Sequence, residues 1–174
     1  MLTAVAECDA GNEAAFERIV AAHERLVFGT ALRLLGNRED ARDAAQEVFL
    51  RLYRNLARVD EARMGAWLYK VTVNVCRDAG RERRPVSELD AEHPSAAAGP
   101  DAGVVEADRR RLLANALRRL SEKERAAVVL RDLEGLSTRE VAEAMGNTEA
   151  TVRSHLSAAR LKLKQYIEGM RRRP

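Results

Sequence analysis

Two Ser-x-x-Glu sequences in the C-terminal third constrain this chain more than any other feature. Ser121 is followed by Glu124 and Ser137 by Glu140, and each pair precedes a run of apolar residues at helical spacing. In such a capping box the serine oxygen accepts a backbone N–H, while the glutamate reaches back to the N–H of the serine. The two boxes therefore predict two consecutive helix starts, and the first helix is expected to end before Gly135.

The second box opens a short helix that ends near Met145, and the turn Gly146-Asn147 follows it. Thr148 can cap a last helix, which the apolar spacing extends to about Ile167. A short helix followed by a glycine turn and a longer helix is typical of the helix-turn-helix, whose second helix enters the major groove of duplex DNA. Burial is expected for Val152, Leu156, Ala159, Leu163 and Ile167. DNA contacts are expected from Thr148, Glu149, Thr151, Arg153, Ser154, His155 and Arg160.

The first 85 residues contain three further helix patterns. Apolar residues recur at steps of three and four from Glu13 to Leu35, from Asn37 to Leu56 and from Ala66 to Arg83. The second of these helices has an acidic and polar face, and the third has a mostly basic stripe. The polar face contains Asp40, Asp43, Gln46 and Glu47, and the stripe contains Lys70, Asn74, Arg77, Arg81 and Arg84.

Residues 86–104 differ from the rest in composition. They contain prolines, glycines and a run of three alanines, and this pattern predicts a flexible linker. We therefore expect an all-α chain made of two small helical domains, residues 1–85 and 105–174, joined by that linker.

Composition narrows the function further. Thirty basic residues against 27 acidic ones leave a net charge of only +3, but the basic residues are clustered, which favours a polyanionic partner. The two cysteines and three histidines are scattered, and there is no glycine-rich phosphate loop and no nucleophile–base pair. We therefore expect no enzyme active site, metal, cofactor or small-molecule substrate. The start of the chain is not typical of a signal peptide, and no apolar run has membrane-spanning length, so we expect a cytoplasmic protein.

Two groups of sequence blocks resemble one protein family. The C-terminal blocks are residues 120–125 (LSEKER), 128–137 (VVLRDLEGLS), 140–142 (EVA) and 151–154 (TVRS). They resemble region 4 of the bacterial extracytoplasmic-function (ECF) sigma factors, the small members of the sigma-70 family. Residues 43–53 (DAAQEVFLRLY) and 66–70 (AWLYK) resemble region 2 of the same family. The resemblance covers nearly the whole chain.

The resemblance implies roles that the apolar spacing cannot reveal. Region 4 of such factors reads the −35 promoter element, while region 2 binds the β′ coiled coil of RNA polymerase and captures the melted −10 element. Polymerase contacts are therefore implied for Asp40, Asp43, Gln46 and Glu47. Contacts with −10 DNA are implied for Arg58, Asp60, Arg63, Lys70, Asn74, Arg77 and Arg81. The implied partners are core polymerase, promoter DNA and an anti-sigma factor, which in this family is often anchored in the membrane.

Other classes of protein stay open at this point. Residues 121–136 and 151–155 also resemble the DNA-binding domain of LuxR-type transcription activators. Such an activator needs a sensing domain, and the first 85 residues show no alternating strand and helix pattern. An RNA-binding helical protein is a third possibility, although the paired caps and the glycine turn favour duplex DNA.

Overall fold

The structure, a computed structural model, describes residues 13–82 and 104–171, and in these ranges the chain is built from helices and short turns. A π-helical segment, Val129–Leu133, follows the fifth helix, and two 3-10 turns, Leu56–Arg58 and Glu61–Arg63, follow the second. The α-helices of the described ranges are α1 (Glu13–Leu35), α2 (Arg38–Asn55), α3 (Met64–Glu82), α4 (Val104–Arg118), α5 (Glu122–Val128), α6 (Thr138–Met145) and α7 (Glu149–Arg171). The predicted all-α fold is confirmed.

Both capping boxes form as predicted. Ser121 Oγ accepts the Glu124 N–H at 3.4 Å, and the Ser121 N–H donates to Glu124 Oε2 at 2.8 Å. The Ser137 and Glu140 pair repeats this geometry at 3.2 and 2.7 Å. Thr148 Oγ1 accepts the Thr151 N–H at 3.2 Å at the start of α7. These bonds satisfy N–H groups that have no partner within the helix, and so they fix where α5, α6 and α7 begin.

Helices α1, α2 and α3 form one bundle. Val27, Val48 and Leu52 are completely buried between them, and so is Leu68 of α3. Thr72 is also completely buried, and its hydroxyl donates to the Leu68 carbonyl oxygen at 2.7 Å, which removes the cost of burying a polar group.

Helices α5, α6 and α7 form a second bundle. Leu130 and Val141 are completely buried there, together with Val152 of α7. The predicted burial of Ile167 is wrong, because its side chain is 46% exposed. Helix α7 keeps its apolar stripe but extends beyond the helices that cover its first half.

The two bundles are packed against each other. Helix α3 of the first contacts α6 of the second, and α1 contacts α4, α5 and the π-helical segment. The buried apolar residues form one continuous cluster across this boundary. The predicted linker, residues 86–104, lies outside the described residues except for Val104, which begins α4. Arg84, at the end of the predicted basic stripe, also lies outside them.

Candidate nucleic-acid interface

The turn between α6 and α7 has the geometry that a helix-turn-helix requires. Gly146 ends α6 in the left-handed conformation, with φ of +64°, which a residue with a side chain rarely adopts. The Asn147 N–H then donates to the Ala142 carbonyl oxygen at 2.9 Å and closes the turn. Val141 and Val152 are completely buried, one on each helix, and this packing leaves the start of α7 at the surface.

The first turns of α7 present a short polar surface. Arg153 and Ser154 are exposed, and Arg153 Nη2 donates at 2.7 Å to Oε2 of Glu149, which is half-buried. Thr151 and His155, two of the residues predicted to contact DNA, are half-buried. His155 Nε2 is buried and has no hydrogen-bond partner among the described residues. Arg153 and Ser154 are therefore the side chains on these turns that are best placed to contact the edge of a base.

Arg160 lies further along α7 and is held by a residue of the π-helical segment. Its Nη2 and Nε atoms donate to Asp132 Oδ1 and Oδ2 at 2.8 and 3.3 Å. These hydrogen bonds raise the pKa of the Arg160 guanidinium, which stays charged. A guanidinium has five N–H donors. Asp132 uses two of them, so the outer edge of Arg160 can still donate to a phosphate.

The four side chains predicted to bind polymerase occupy different environments on α2. Asp43 and Gln46 are exposed. Glu47 is half-buried and accepts from Arg51 Nε at 2.7 Å. Asp40 is buried at the start of α2, where its N–H donates to Asn37 Oδ1 at 2.8 Å and its carboxylate accepts from the Asn37 amide. Asp40 thus stabilises the start of the helix, while the other three face outward.

The loop that the resemblance assigns to −10 DNA is anchored at both ends by buried residues. Val59 and Met64 are buried on either side of it. Asp60 Oδ1 accepts the Ala62 N–H at 3.0 Å and caps the second 3-10 turn. Three side chains project from this support into solvent: Arg58, Asp60 and Arg63.

The polar stripe of α3 forms as the spacing predicted. Lys70, Arg77 and Arg81 are exposed, whereas Asn74 is half-buried. Arg77 Nη2 donates to Asn74 Oδ1 at 3.0 Å, so these two side chains form one polar unit. The stripe gives α3 a cationic surface on the side away from its own bundle core, which suits a nucleic-acid backbone.

Helix α3 has a second buried face, which the apolar spacing did not predict. The apolar spacing predicted one face with Trp67, Leu68, Val71, Val75 and Ala79. The structure also buries Val73 and Cys76, which lie with Tyr69 on the side of the second bundle. Burial, the Glu134 charge and a hydrogen bond from the Tyr69 hydroxyl to Glu134 raise the pKa of Tyr69 to about 12. Burial alone raises the pKa of the Cys76 thiol to about 12.

Each of the two bundles matches a known protein family. Residues 19–85 match the sigma-70 region 2 family, and residues 110–163 match sigma-70 region 4. A region 2 bundle followed by a region 4 helix-turn-helix defines the class of sigma-70 transcription factors.

Similar proteins narrow the class to one subfamily. An ECF sigma-E factor of Haemophilus influenzae is 30% identical over 173 residues, which are 92% of this chain and 91% of that protein. The ECF sigma factor SigM of Mycobacterium tuberculosis is 32% identical over 162 residues, which are 91% of this chain and 80% of that protein. SigE of Mycolicibacterium smegmatis is 33% identical over 90% of this chain, which spans 64% of that protein. The chain belongs to the ECF sigma factor family, whose members direct RNA polymerase to specific promoters.

Solved structures agree with this family. CnrH, solved in complex with the cytosolic domain of CnrY, has a TM-score of 0.68 and 27% identity, and the match covers 95% of this chain and 96% of that one. The sigma factor RpoE of Bartonella quintana, solved with the anti-sigma factor NepR, shares the fold at a TM-score of 0.68 and 21% identity. Because region 2 accounts for residues 19–85, the LuxR-type alternative, which needs a sensing domain there, is not favoured.

Two further properties concern the described residues only. Within residues 13–82 and 104–171, no helix is long and apolar enough to cross a membrane. In the same ranges no three histidine, cysteine or acidic side chains come together as metal ligands would.

Proposed function

We propose that this sigma factor works through binding alone and divides the promoter between its two bundles. The region 4 bundle reads the −35 duplex with α7, and the region 2 bundle holds the melted −10 strand and docks on core polymerase. The observation that carries this proposal is the capped, exposed start of α7, with Arg153 and Ser154 at the surface of a family-matched helix-turn-helix.

At the −35 element, the first turn of α7 has two chemical roles. Backbone N–H groups at a helix start attract phosphate, and they orient the helix on the duplex. Arg153 is long enough to reach the two acceptors of a guanine edge, once it exchanges its bond to Glu149 for one to the base. Arg160 suits a phosphate contact, because Asp132 fixes its orientation and leaves its outer edge available.

At the −10 element, the loop between α2 and α3 and the stripe of α3 share the work. Unpaired bases are held in pockets and by stacking, while cationic grooves follow the backbone. The anchored loop with Arg58, Asp60 and Arg63 suits a base taken out of the stack. Lys70, Arg77 and Arg81 suit the phosphates that follow. Binding of the unpaired strand offsets the few kcal/mol that unstacking costs per base.

The partners follow from this division. The exposed Asp43 and Gln46 and the half-buried Glu47 form the polymerase face, and Asp40 supports it by holding the start of α2. An anti-sigma factor is the proposed regulator, in keeping with the CnrH complex, in which a chain of this fold is bound by the cytosolic domain of a second protein. Action on core polymerase puts the protein in the cytoplasm, where that enzyme works.

Charge reversal on α2 tests the polymerase face. We expect the double variant Asp43→Lys and Glu47→Lys to lose binding to core polymerase by at least about 100-fold, because two favourable charge contacts become repulsive. The measurement is affinity for core polymerase by fluorescence anisotropy of the labelled full chain.

The matched control for this test carries Glu17→Lys and Glu24→Lys, two exposed acids of α1. It makes the same change in net charge away from the proposed face. Equal loss of affinity in both variants would attribute the effect to net charge, and unchanged affinity in the α2 variant would exclude this face as the dock.

A further inference from the structure

The first turn of α7 places an acid within the surface that faces DNA. Glu149 is the first residue of the helix, and 44% of its side-chain surface is accessible to solvent. Its Oε2 atom accepts from Arg153 Nη2 at 2.7 Å, while within residues 13–82 and 104–171 its Oε1 atom accepts no hydrogen bond. Glu149 and Arg153 are four residues apart, so they lie on the same face of α7. The residue proposed to read a base is therefore paired with a carboxylate on the same surface.

The hydroxyl groups around this pair are already bonded within the helix. Thr148 Oγ1 accepts the Thr151 N–H at 3.2 Å and shares a hydrogen bond of 2.9 Å with Thr151 Oγ1. Ser154 Oγ donates to a main-chain carbonyl oxygen of the preceding turn at 3.1 Å. These bonds use part of the hydrogen-bonding capacity of each hydroxyl. The charged groups of Glu149 and Arg153 therefore retain most of the capacity that these turns can offer to a base.

Reading of a guanine by Arg153 changes the surroundings of Glu149. Breaking their exposed ion pair costs little in the free chain. In the major groove, however, the carboxylate of Glu149 then lies between two rows of phosphates, which repel a negative charge. This cost is smallest where a donor on the DNA replaces the guanidinium, because a desolvated charge without a hydrogen bond is unfavourable. The base beside the carboxylate therefore decides how much the exchange costs.

The chemistry of the base edges identifies that donor. In the major groove guanine presents two acceptors, and thymine presents an acceptor and a methyl group, so both bases disfavour a carboxylate. Adenine presents an amino donor beside the acceptor N7, whereas the polar group of cytosine in this groove is the N4 amino donor alone. A carboxylate oxygen can accept from N4 without facing an acceptor on the same base. Cytosine therefore suits Glu149 best, and adenine comes second.

The rise of α7 places this cytosine close to the guanine that Arg153 reads. Four residues of α-helix advance about 6 Å, and successive base pairs are about 3.4 Å apart. The base that meets Glu149 is thus one or two base pairs from the base that meets Arg153. The cap by Thr148 immediately precedes Glu149, and it holds the carboxylate at the leading end of α7. The two side chains therefore cover neighbouring positions of one −35 element.

We propose that Glu149 determines specificity at the −35 element, by accepting a hydrogen bond from cytosine N4 and by repelling guanine and thymine at that position. This inference rests on the proposed function, because it concerns the position next to the base that Arg153 reads. The two residues have opposite effects on unselected DNA. Arg153 attracts any duplex, whereas Glu149 weakens binding to every duplex that lacks the donor, and such repulsion of wrong partners is a source of specificity.

Binding of the polymerase holoenzyme to a panel of −35 duplexes tests this inference. The holoenzyme contains the full chain, and the panel carries each base in turn at every position of the preferred −35 sequence. With the unaltered chain, the position beside the guanine is expected to favour cytosine over thymine about tenfold, the size of one good base contact. Glu149→Ala is expected to remove this preference and to strengthen binding to the thymine and guanine duplexes about threefold. That gain is expected to shrink at high salt, because salt screens the repulsion.

The variant Glu149→Gln tests the base contact more sharply. A glutamine amide can pair with N6 and N7 of adenine at the same time. We therefore expect this variant to shift the preference from cytosine to adenine, while the guanine preference that depends on Arg153 stays at its own position. A role of Glu149 in folding alone would weaken binding to all sequences and would not exchange one base for another. Circular dichroism establishes that each variant keeps its helices.

The control variant Glu143→Gln makes the same charge change on α6, where Glu143 accepts from Arg139 Nε at 3.1 Å in another exposed i, i+4 pair. It is expected to leave every base preference unchanged. Identical base preferences in the unaltered chain and both Glu149 variants, or a base other than cytosine beside the guanine, would overturn the inference and leave the proposed function intact. Loss of the guanine preference in Glu149→Ala would also overturn it, since Glu149 would then act by orienting Arg153. Absence of any −35 preference in the unaltered holoenzyme would contradict the proposed function itself, and the role of Glu149 with it.

Discussion

At the scale of single residues, recognition of DNA is expected to depend most on Arg153. Its side chain is exposed on the first turns of α7, and within the described part of the chain its bonding partner is Glu149 of the same helix. Exposed ion pairs of this kind contribute little free energy, so Arg153 can exchange Glu149 for a base at small cost.

We therefore predict that Arg153→Ala weakens binding to the preferred −35 sequence by about 1–3 kcal/mol and reduces discrimination at one base pair. The measurement is a binding titration of the polymerase holoenzyme against a panel of −35 single substitutions. Arg139→Ala, on α6 and also in an exposed i, i+4 pair, serves as the matched control. An equal loss on every sequence would assign Arg153 to a phosphate instead.

The sequence separation of two bonded residues determines whether their contact can be predicted from the sequence. The partners of Ser121 and Ser137 lie three residues away, and local spacing therefore predicted these caps correctly. Glu134 and Tyr69 are 65 positions apart, and nothing local to either of them indicates their contact. His155 looked exposed by position, yet it is half-buried because it lies at the edge of the apolar stripe of α7.

At the scale of elements, one ion pair fixes α7 to α5. Lys162 Nζ donates to both oxygens of Glu124 at 2.9 and 2.8 Å, and Glu124 also closes the capping box of α5. The hydrogen bonds from Lys162 are the main reason why the pKa of Glu124 is lowered. Glu140 occupies the same position in the second box, but within residues 13–82 and 104–171 no cation bonds to it, so the two boxes form a matched pair.

We predict that Glu124→Gln lowers the free energy of unfolding by about 1–2 kcal/mol through loss of charged hydrogen bonds, since glutamine can still close the box. Glu140→Gln is expected to have a smaller effect. Because folding lowers the pKa of Glu124, its contribution is complete above the ordinary value of 4.5 and is lost as the pH falls through the lowered value. Urea titrations at pH 7 and pH 3 check both points, and equal destabilisation by the two variants would contradict the role of Lys162.

The apolar spacing predicted the positions of the helices better than it predicted which of their faces are buried. Helix α1 has the bounds that its spacing indicated, and α3 begins at Met64, two residues earlier than predicted. The spacing of α3 predicted one apolar face, whereas the tertiary fold also buries a second face containing Val73 and Cys76. The π-helical segment was not predicted either, because its bond from the Glu134 N–H to the Val129 carbonyl oxygen depends on the packing around it.

At the scale of the whole molecule, the order of the two bundles determines the function. Either bundle alone would be a helical DNA-binding unit of unspecified role, while region 2 followed by region 4 is the arrangement of an ECF sigma factor. The sequence indicated this arrangement because each region has its own local motif. It could not indicate the packing between the bundles, because that packing joins residues distant in sequence and depends on none of those motifs.

Promoter-specific transcription by purified core polymerase tests the central claim most directly. Core polymerase, the full chain and a library of DNA templates randomised at the −35 and −10 positions are incubated with nucleotides, and the transcripts are sequenced. The account predicts transcripts only when chain and core are both present, from templates that share one −35 and one −10 sequence, and loss of the −35 preference with Arg153→Ala. Transcripts no different from those of core polymerase alone would contradict it.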